Sequence, residues 1–333
     1  MLFVLDTKGL RLSRQRGSFV VTPPTERGQP RRIGARRLTS IAVTANVTIE
    51  AAAIRLAIAN EIPLLFFDRI GRAEARLWSP YFASIATLRR QQVRFADTAA
   101  ASEWMINLFA LKTNGQIANL KHLLRRRSRE ADRIQRTITD MEHGRDDLRR
   151  FAGQLLTDCR NQMMGAEGQL ARRYWPAVGR SLTGPGHFTK RSRRPAADPF
   201  NAALNYAYGM LYATVEGACF AAGLDPHLGF LHADEYRKPT LAFDLIEPFR
   251  PWLDRLLIDL FVDGELQDKH FTRNQHGLHL NKTGKAVLIP GVNDYLAEDR
   301  RFLGQQASRR NHVYRLARQL AQRIRAAADP DPA

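Results

Sequence analysis

Cysteine is nearly absent from this chain of 333 residues, which carries two, Cys159 and Cys219, far apart in sequence. That excludes a disulfide scaffold and a cysteine-based zinc module, and it suits a reducing compartment. Long hydrophobic runs are missing as well. The most apolar stretch, Ala51 to Phe67, is broken by Arg55, Glu61 and Pro63, too soon for a membrane span. The opening Met1-Leu-Phe-Val-Leu-Asp-Thr-Lys has no basic segment followed by an apolar one, so it does not read as a signal peptide. The expected location is therefore cytoplasmic, with no membrane partner. Internal repeats and low-complexity blocks are absent, and a composition 44% hydrophobic and 25% charged is that of a folded chain.

Acidic residues are the scarce charge: 33 Asp and Glu stand against 51 Lys and Arg, a formal net charge of +18. Most of the basic residues are Arg, whose planar fork matches phosphate oxygens, and each phosphate neutralised releases condensed counterions. A polyanionic partner is the reading this favours over a uniformly basic proteome. Basic residues concentrate in two runs, one holding Arg125, Arg126, Arg127 and Arg129, the other Lys190, Arg191, Arg193 and Arg194. These are the candidate residues for binding a polyanion.

The pattern of residues changes near position 80. Before it, segments 2–6, 10–14, 18–22 and 38–44 are short, rich in β-branched residues and alternate in part, which predicts strands. Thr48 is expected to cap a helix that runs into the apolar strand pattern Ile62 to Asp68. From about residue 81 the apolar spacing becomes helical, and strand signals stay few until near Val287. Asp198 followed by Pro199 predicts a helix start, and Gly223 its end. An Arg-rich amphipathic helix is expected from about Gln305 to Ala328, with Val313, Leu316, Leu320 and Ile324 on one side. The expected fold is thus α+β: a small β-rich, β-sandwich-like domain over 1–80, then a larger all-α domain over 81–333 ending in a short disordered tail from about 328.

Against the positive excess, four acids gather between Gly229 and Pro251: Asp234, Glu235, Asp244 and Glu247, with His232 before them. If Thr240 caps a helix, Asp244 and Glu247 share a face of it, and Pro248 makes that helix short or kinked. One His with two carboxylates suits an octahedral divalent ion such as Mg²⁺ or Mn²⁺; a satisfied His near a solvated helix face is the alternative. Glu167 stands between Gly165 and Gly168 in a helical context, where glycine is costly unless something approaches closely. That something is either a ligand or a neighbouring helix. Asn201, Asn205, Tyr208 and Tyr212 form a polar stripe on the Asp198 helix, able to support acids on neighbouring helices or to contact a nucleic-acid backbone. Residues at the boundary of a core would show the same stripe.

Four segments taken in order, GAEGQLARRYW, DPFNAALNYAYGMLY, AAGLDPHLGFLH and TLAFDLIEPFRPWLD, closely resemble the CRISPR-associated protein 1 family, the integrase-endonuclease of CRISPR spacer acquisition. HGLHLNKTGKAVLIPGVNDYL is similar to that family's closing motif, and NVTIEAAAIRLAIANEIPLLFFDRIGR resembles part of its N-terminal domain. The resemblance implies an N-terminal β-domain, a helical C-terminal domain, a homodimer, and two such dimers assembled around a dimer of the small second CRISPR-associated protein. It implies a metal site of Glu167, His232 and Glu247 with Asp244 beside them, Glu247 standing where many relatives have Asp. The implied activity is insertion of short double-stranded DNA into the repeat array by metal-dependent transesterification with a 3′-hydroxyl, and cleavage of branched DNA. A catalytically silent DNA-binding scaffold and a stand-alone structure-selective nuclease are the competing readings.

Overall fold

The computed structural model describes residues 2–25, 28–38, 40–67, 73–77, 86–126, 130–193, 195–232, 238–275 and 277–328. The chain divides into two compact units, residues 1–84 and 85–333. The expected boundary at 80/81, the tail beyond 328, and Asp234 and Glu235 lie outside the described residues, as do Arg127, Arg129 and Arg194.

The first unit is built from short strands: β1 (Leu2–Leu5), β2 (Arg11–Gln15), β3 (Ser18–Thr22), β4 (Arg31–Gly34), β5 (Ser40–Val43), β6 (Thr48–Ile49), β7 (Leu64–Phe67) and β8 (Ala73–Leu77), with helix α1 (Ala51–Ala59) before β7. They form two four-stranded sheets, ordered β1-β5-β7-β8 and β4-β3-β2-β6. β1, β5 and β7 pair in parallel. Parallel neighbours need a crossover, and α1 supplies the one between β5 and β7. Leu5, Ile41 and Leu64 from one sheet, Leu12 and Phe19 from the other, and Ala53 and Ala57 of α1 share one buried core. Thr48 does not cap α1 as expected. It begins β6, pairing with Arg11 in parallel, and Glu50 takes the N-cap position.

The second unit is mainly helical: α2 (Ala86–Phe95), α3 (Ala99–Arg126), α4 (Ala131–Asp146), α5 (Leu156–Ser181), α6 (Pro199–Ala221), α7 (Thr240–Leu245) and α8 (Arg250–Val262). Then come β9 (Phe271–Asn274), β10 (Gly277–Leu280), α9 (Lys282–Ala297), β11 (Asp299–Phe302), β12 (Gln305–Ser308) and α10 (Arg309–Ala328). The two antiparallel hairpins correct the all-α expectation. Their strands have four residues each, and three of the four are largely polar or charged, so little apolar alternation marks them in sequence. Val287 lies inside α9 rather than in a strand, because Asn281 caps that helix by accepting from the Gly284 N–H. The segment from Gln305 likewise begins as β12, and its helix starts at Arg309, with Val313, Leu316, Leu320 and Ile324 all buried.

α6 forms where expected. The Asp198 carboxylate accepts from the Asn201 N–H at 2.8 Å, Pro199 opens the first turn, and Gly223 follows the helix at φ +83°. α3 and the start of α8 approach closely because position 115 is glycine: a Cβ there would lie 2.7 Å from Pro251 Cβ. Asn119, one turn further along α3, donates to the Pro251 carbonyl at 2.8 Å.

Candidate active site

Three elements bring charge to one point. α5 carries Glu167, the turn after α7 carries Glu247, and α3 carries Lys112 between them. The Lys112 ammonium hydrogen-bonds Oε1 of Glu167 and lies 2.5 Å from Oε2 of Glu247. Arg250 holds the other Glu247 oxygen, its Nε donating to Oε1 at 2.8 Å. A Tyr212 hydroxyl 2.9 Å away and the Tyr208 ring 4.6 Å away hold the guanidinium in turn. Glu247 is 5% exposed. Burial opposes its charge, but Arg250 and Lys112 outweigh that and hold the carboxyl at about 2, so it stays ionised.

Sequence spacing puts Asp244 and Glu247 on one helical face; the backbone does not. α7 ends at Leu245, and Glu247 begins a short 3-10 turn with Pro248 in it. The interruption separates the two acids' tasks. Asp244 is fully buried, and its Oδ2 accepts the N–H groups of Phe230 at 2.7 Å and Leu231 at 3.1 Å. Its Oδ1 takes the His232 N–H at 3.2 Å and pairs with Nδ1 of the same residue at 2.6 Å. Asp244 therefore shapes the loop that delivers His232 and fixes the ring's orientation, leaving Nε2 as the nitrogen on the far edge. Burial pushes the imidazole pKa down, yet the Asp244 hydrogen bond and charge, with Glu247 beyond, raise it above the ordinary His value. Thr240 does not cap α7 either. Its hydroxyl accepts from the Gly229 N–H at 3.0 Å and donates to the His227 carbonyl at 2.7 Å, tying the same loop to the helix start.

Among the described residues, no three His, Cys, Asp or Glu side chains gather closely enough to hold an ion together. The donor set still fits a hard divalent cation. Two carboxylates from different elements converge on a single positive charge, and Oε2 of Glu247 is buried without a hydrogen bond of ordinary geometry. His232, whose charge and that of Glu247 shift one another's ionisation, has its second nitrogen held by a carboxylate, as metal-bound imidazoles usually do. Among the described residues, Gly165 and Gly168 pack against no neighbouring helix: a Cβ at 165 would meet none of them within 4 Å, and at 168 only Arg172 Nη1 at 3.8 Å.

The polar stripe on α6 turns inward. Asn201 accepts from the Ser192 N–H at 3.0 Å and donates to the Lys190 carbonyl at 3.0 Å. Asn205 donates to the Arg193 carbonyl, and both amides accept from the Arg191 guanidinium, at 2.8 Å and 2.6 Å. Arg191 is thus a brace for its own loop, its pKa lowered by burial to about 10, while Lys190 and Arg193 stay exposed. Tyr208 donates to Asp254 at 2.5 Å, joined there by Tyr174 at 3.2 Å. In the other basic run Arg125 is exposed, and Arg126 bonds Asp259 at 3.1 Å and pairs with Asp263 at 2.5 Å. Sequence reasoning passed over Lys112, Arg250 and Asp254. Lys112 was findable, since it falls on the mostly apolar stripe Met105, Phe109, Gln116, Leu120 of α3 and is buried with it.

These features define a mixed-charge, carboxylate-rich centre in the helical unit of a two-unit chain. The family model for CRISPR associated protein Cas1 matches residues 3–294, and the chain belongs to that family. It is 31% identical over 316 residues to the CRISPR-associated endonuclease Cas1 2 of Rhodospirillum rubrum, covering 91% of this chain and 90% of the relative. It is 34% identical over 271 residues to the CRISPR-associated endonuclease Cas1 1 of Pyrobaculum aerophilum, covering 80% and 84%. In fold it is similar to a Cas1 protein from Thermotoga maritima, with a TM-score of 0.76 and 22% identity over 97% of this chain and 96% of that one. A casposase bound to its integration product gives 0.79 and 22% over 98% and 91%.

Proposed function

We propose that this chain is a CRISPR adaptation integrase and endonuclease, using Mg²⁺ or Mn²⁺ to insert short duplex DNA into the repeat array. The observation that carries this is the convergence of Glu167 and Glu247 on one cation position, beside a His232 fixed by Asp244, in a member of the Cas1 family. Glu167, Glu247 and His232 would hold the metal. Bound there, it would stabilise negative charge on the scissile phosphate and favour the attacking hydroxyl. Glu247 is ready for this because its neighbours keep it ionised throughout the neutral range. His232 presents Nε2 as a ligand or as a proton carrier, Nδ1 being committed to Asp244. Arg250 keeps Glu247 in place by holding its second oxygen.

In strand transfer the incoming 3′-oxygen bonds to the phosphorus, the bond to the repeat's own 3′-oxygen breaks, and that oxygen leaves with a proton as a new 3′-hydroxyl. Water in place of the incoming hydroxyl gives hydrolysis, hence cleavage of branched DNA. Exposed Arg125, Lys190 and Arg193 would bind phosphates and position the duplex without reading its sequence. A homodimer, and its assembly with the small second CRISPR-associated protein, belong to this reading. A Cas6-RT-Cas1–Cas2 complex contains the same fold, with a TM-score of 0.78 at 19% identity over 98% of this chain and 35% of that one.

The test mixes the purified protein, with and without the small partner, with a labelled short duplex bearing 3′-hydroxyls and a supercoiled plasmid carrying a repeat, in Mn²⁺. Label should join the plasmid, and joining should vanish with a chelator or with Glu247→Ala. DNA binding without joining in the presence of the partner would instead favour a silent scaffold.

A further inference from the structure

Lys112 has no part in the metal reading, yet it occupies the point where the two carboxylates meet. The residue is 8% exposed, and an unpaired ammonium so deep in the protein would be costly. It is neutralised by Glu167 and Glu247 together. The second cation of the pocket is fixed differently. Arg250 has Oε1 of Glu247, the Tyr212 hydroxyl and the Tyr208 ring around its guanidinium, a planar group with little freedom to move away. The Lys112 ammonium sits on a flexible four-carbon stem, with the Phe109 ring centre 6.0 Å from its nitrogen. Charge sets the two occupants against each other. With Arg250 fixed on Glu247, the Lys112 ammonium already brings the two carboxylates to neutrality, and a divalent ion added beside it would crowd like charges into the site.

We propose that Lys112 is the resident counter-ion of this site, resting on the metal reading given above. Its ammonium holds Glu167 and Glu247 in place in the metal-free protein and withdraws when a divalent cation enters, so this lysine sets how tightly the site takes its metal. It is a positioning residue, acting through the two carboxylates rather than on DNA.

The experiment is a calorimetric Mn²⁺ titration of the full chain and of Lys112→Met, which keeps the stem and removes the charge. Removing the competitor should tighten Mn²⁺ binding about tenfold, equivalent to about 1.4 kcal/mol. The variant's melting temperature should fall without metal and recover with Mn²⁺ by more than the wild type gains. Unchanged or weaker binding by a folded variant overturns the proposal, since a merely structural lysine would loosen the site when lost. If neither protein binds Mn²⁺, the metal reading itself fails and takes this one with it. Should Lys112→Met not fold, the wild type still decides. Acetic anhydride labelling, read by mass spectrometry, should modify Lys112 slowly without metal and several-fold faster at saturating Mg²⁺. A rate unaffected by Mg²⁺ that demonstrably binds would contradict the exchange.

Discussion

Glu247 and Asp254 stand seven residues apart and are both buried, yet their surroundings drive them in opposite directions. Around Glu247 the partners are cations, Arg250 and Lys112, and the carboxyl is held at about 2. Around Asp254 the direct partners are neutral hydroxyls of Tyr208 and Tyr174; burial raises the carboxyl to about 6, with those hydrogen bonds opposing it. Burial alone therefore says nothing about which acid carries charge to a site. The partner's formal charge decides. One pocket is arranged to keep a full negative charge in a dry interior, as a cation site requires, and the other ties three helices, α5, α6 and α8, through a carboxyl that is easily protonated.

The sharpest break of this contrast is Glu247→Gln, which keeps the shape and removes the charge. Strand joining should fall by about 10³-fold or more, measured with the labelled duplex. Glu247 has a lowered folded pKa, so its contribution to stability is present above the ordinary carboxyl range and lost as pH falls toward about 2. The variant should lack that acid-side loss in a melting series.

Asp254→Asn sharpens the other side. With a folded pKa of about 6 against an ordinary 3.8, Asp254 stabilises the fold when protonated, and that stability is lost as pH rises through about 6. The variant should abolish a pH-dependent change on the order of 3 kcal/mol between about pH 4 and pH 6, read as the difference between wild-type and variant urea midpoints. A difference that does not change with pH would mean Asp254 is not protonated more readily in the fold.

Asp244→Asn tests whether the loop acid supports the site through His232. Because it orients a candidate ligand rather than serving as one, the expected loss in Mn²⁺ affinity or joining is about 10–100-fold, smaller than at Glu247. The smallest effect separates the two kinds of Arg in the second basic run. Arg193→Ala should lower the salt slope of DNA binding by about one unit and leave the melting temperature alone. Arg191→Ala should do the reverse, since its guanidinium is spent on Asn201 and Asn205.

The ends of α6 were readable because Asp198, Pro199 and Gly223 each act within one turn of backbone. The two-sheet first unit was readable from the β-branched runs of β1, β3 and β5. β4, β6 and the two hairpins were not, because strands of two to four residues, several of them polar or charged, offer too few apolar positions for an alternation to register. The site divides in the same way. Glu167, His232, Asp244 and Glu247 stood out through local context and family motifs. The separate duties of Asp244 and Glu247 did not, since they follow from a helix that stops at Leu245 and from a loop that folds back onto it. Lys112 was invisible as a partner because α3, α5 and the Glu247 turn meet only in three dimensions, whereas Arg250 pairs with Glu247 three residues before it, a spacing the sequence did offer.

The central claim, that Glu167, His232 and Glu247 hold one divalent cation, is most directly tested by counting Mn²⁺ per chain in the wild type and in Glu167→Ala, His232→Ala and Glu247→Ala. One Mn²⁺ per wild-type chain and a loss of binding in all three folded variants is the predicted result. Undiminished binding in any of them, or none in the wild type, would contradict the account.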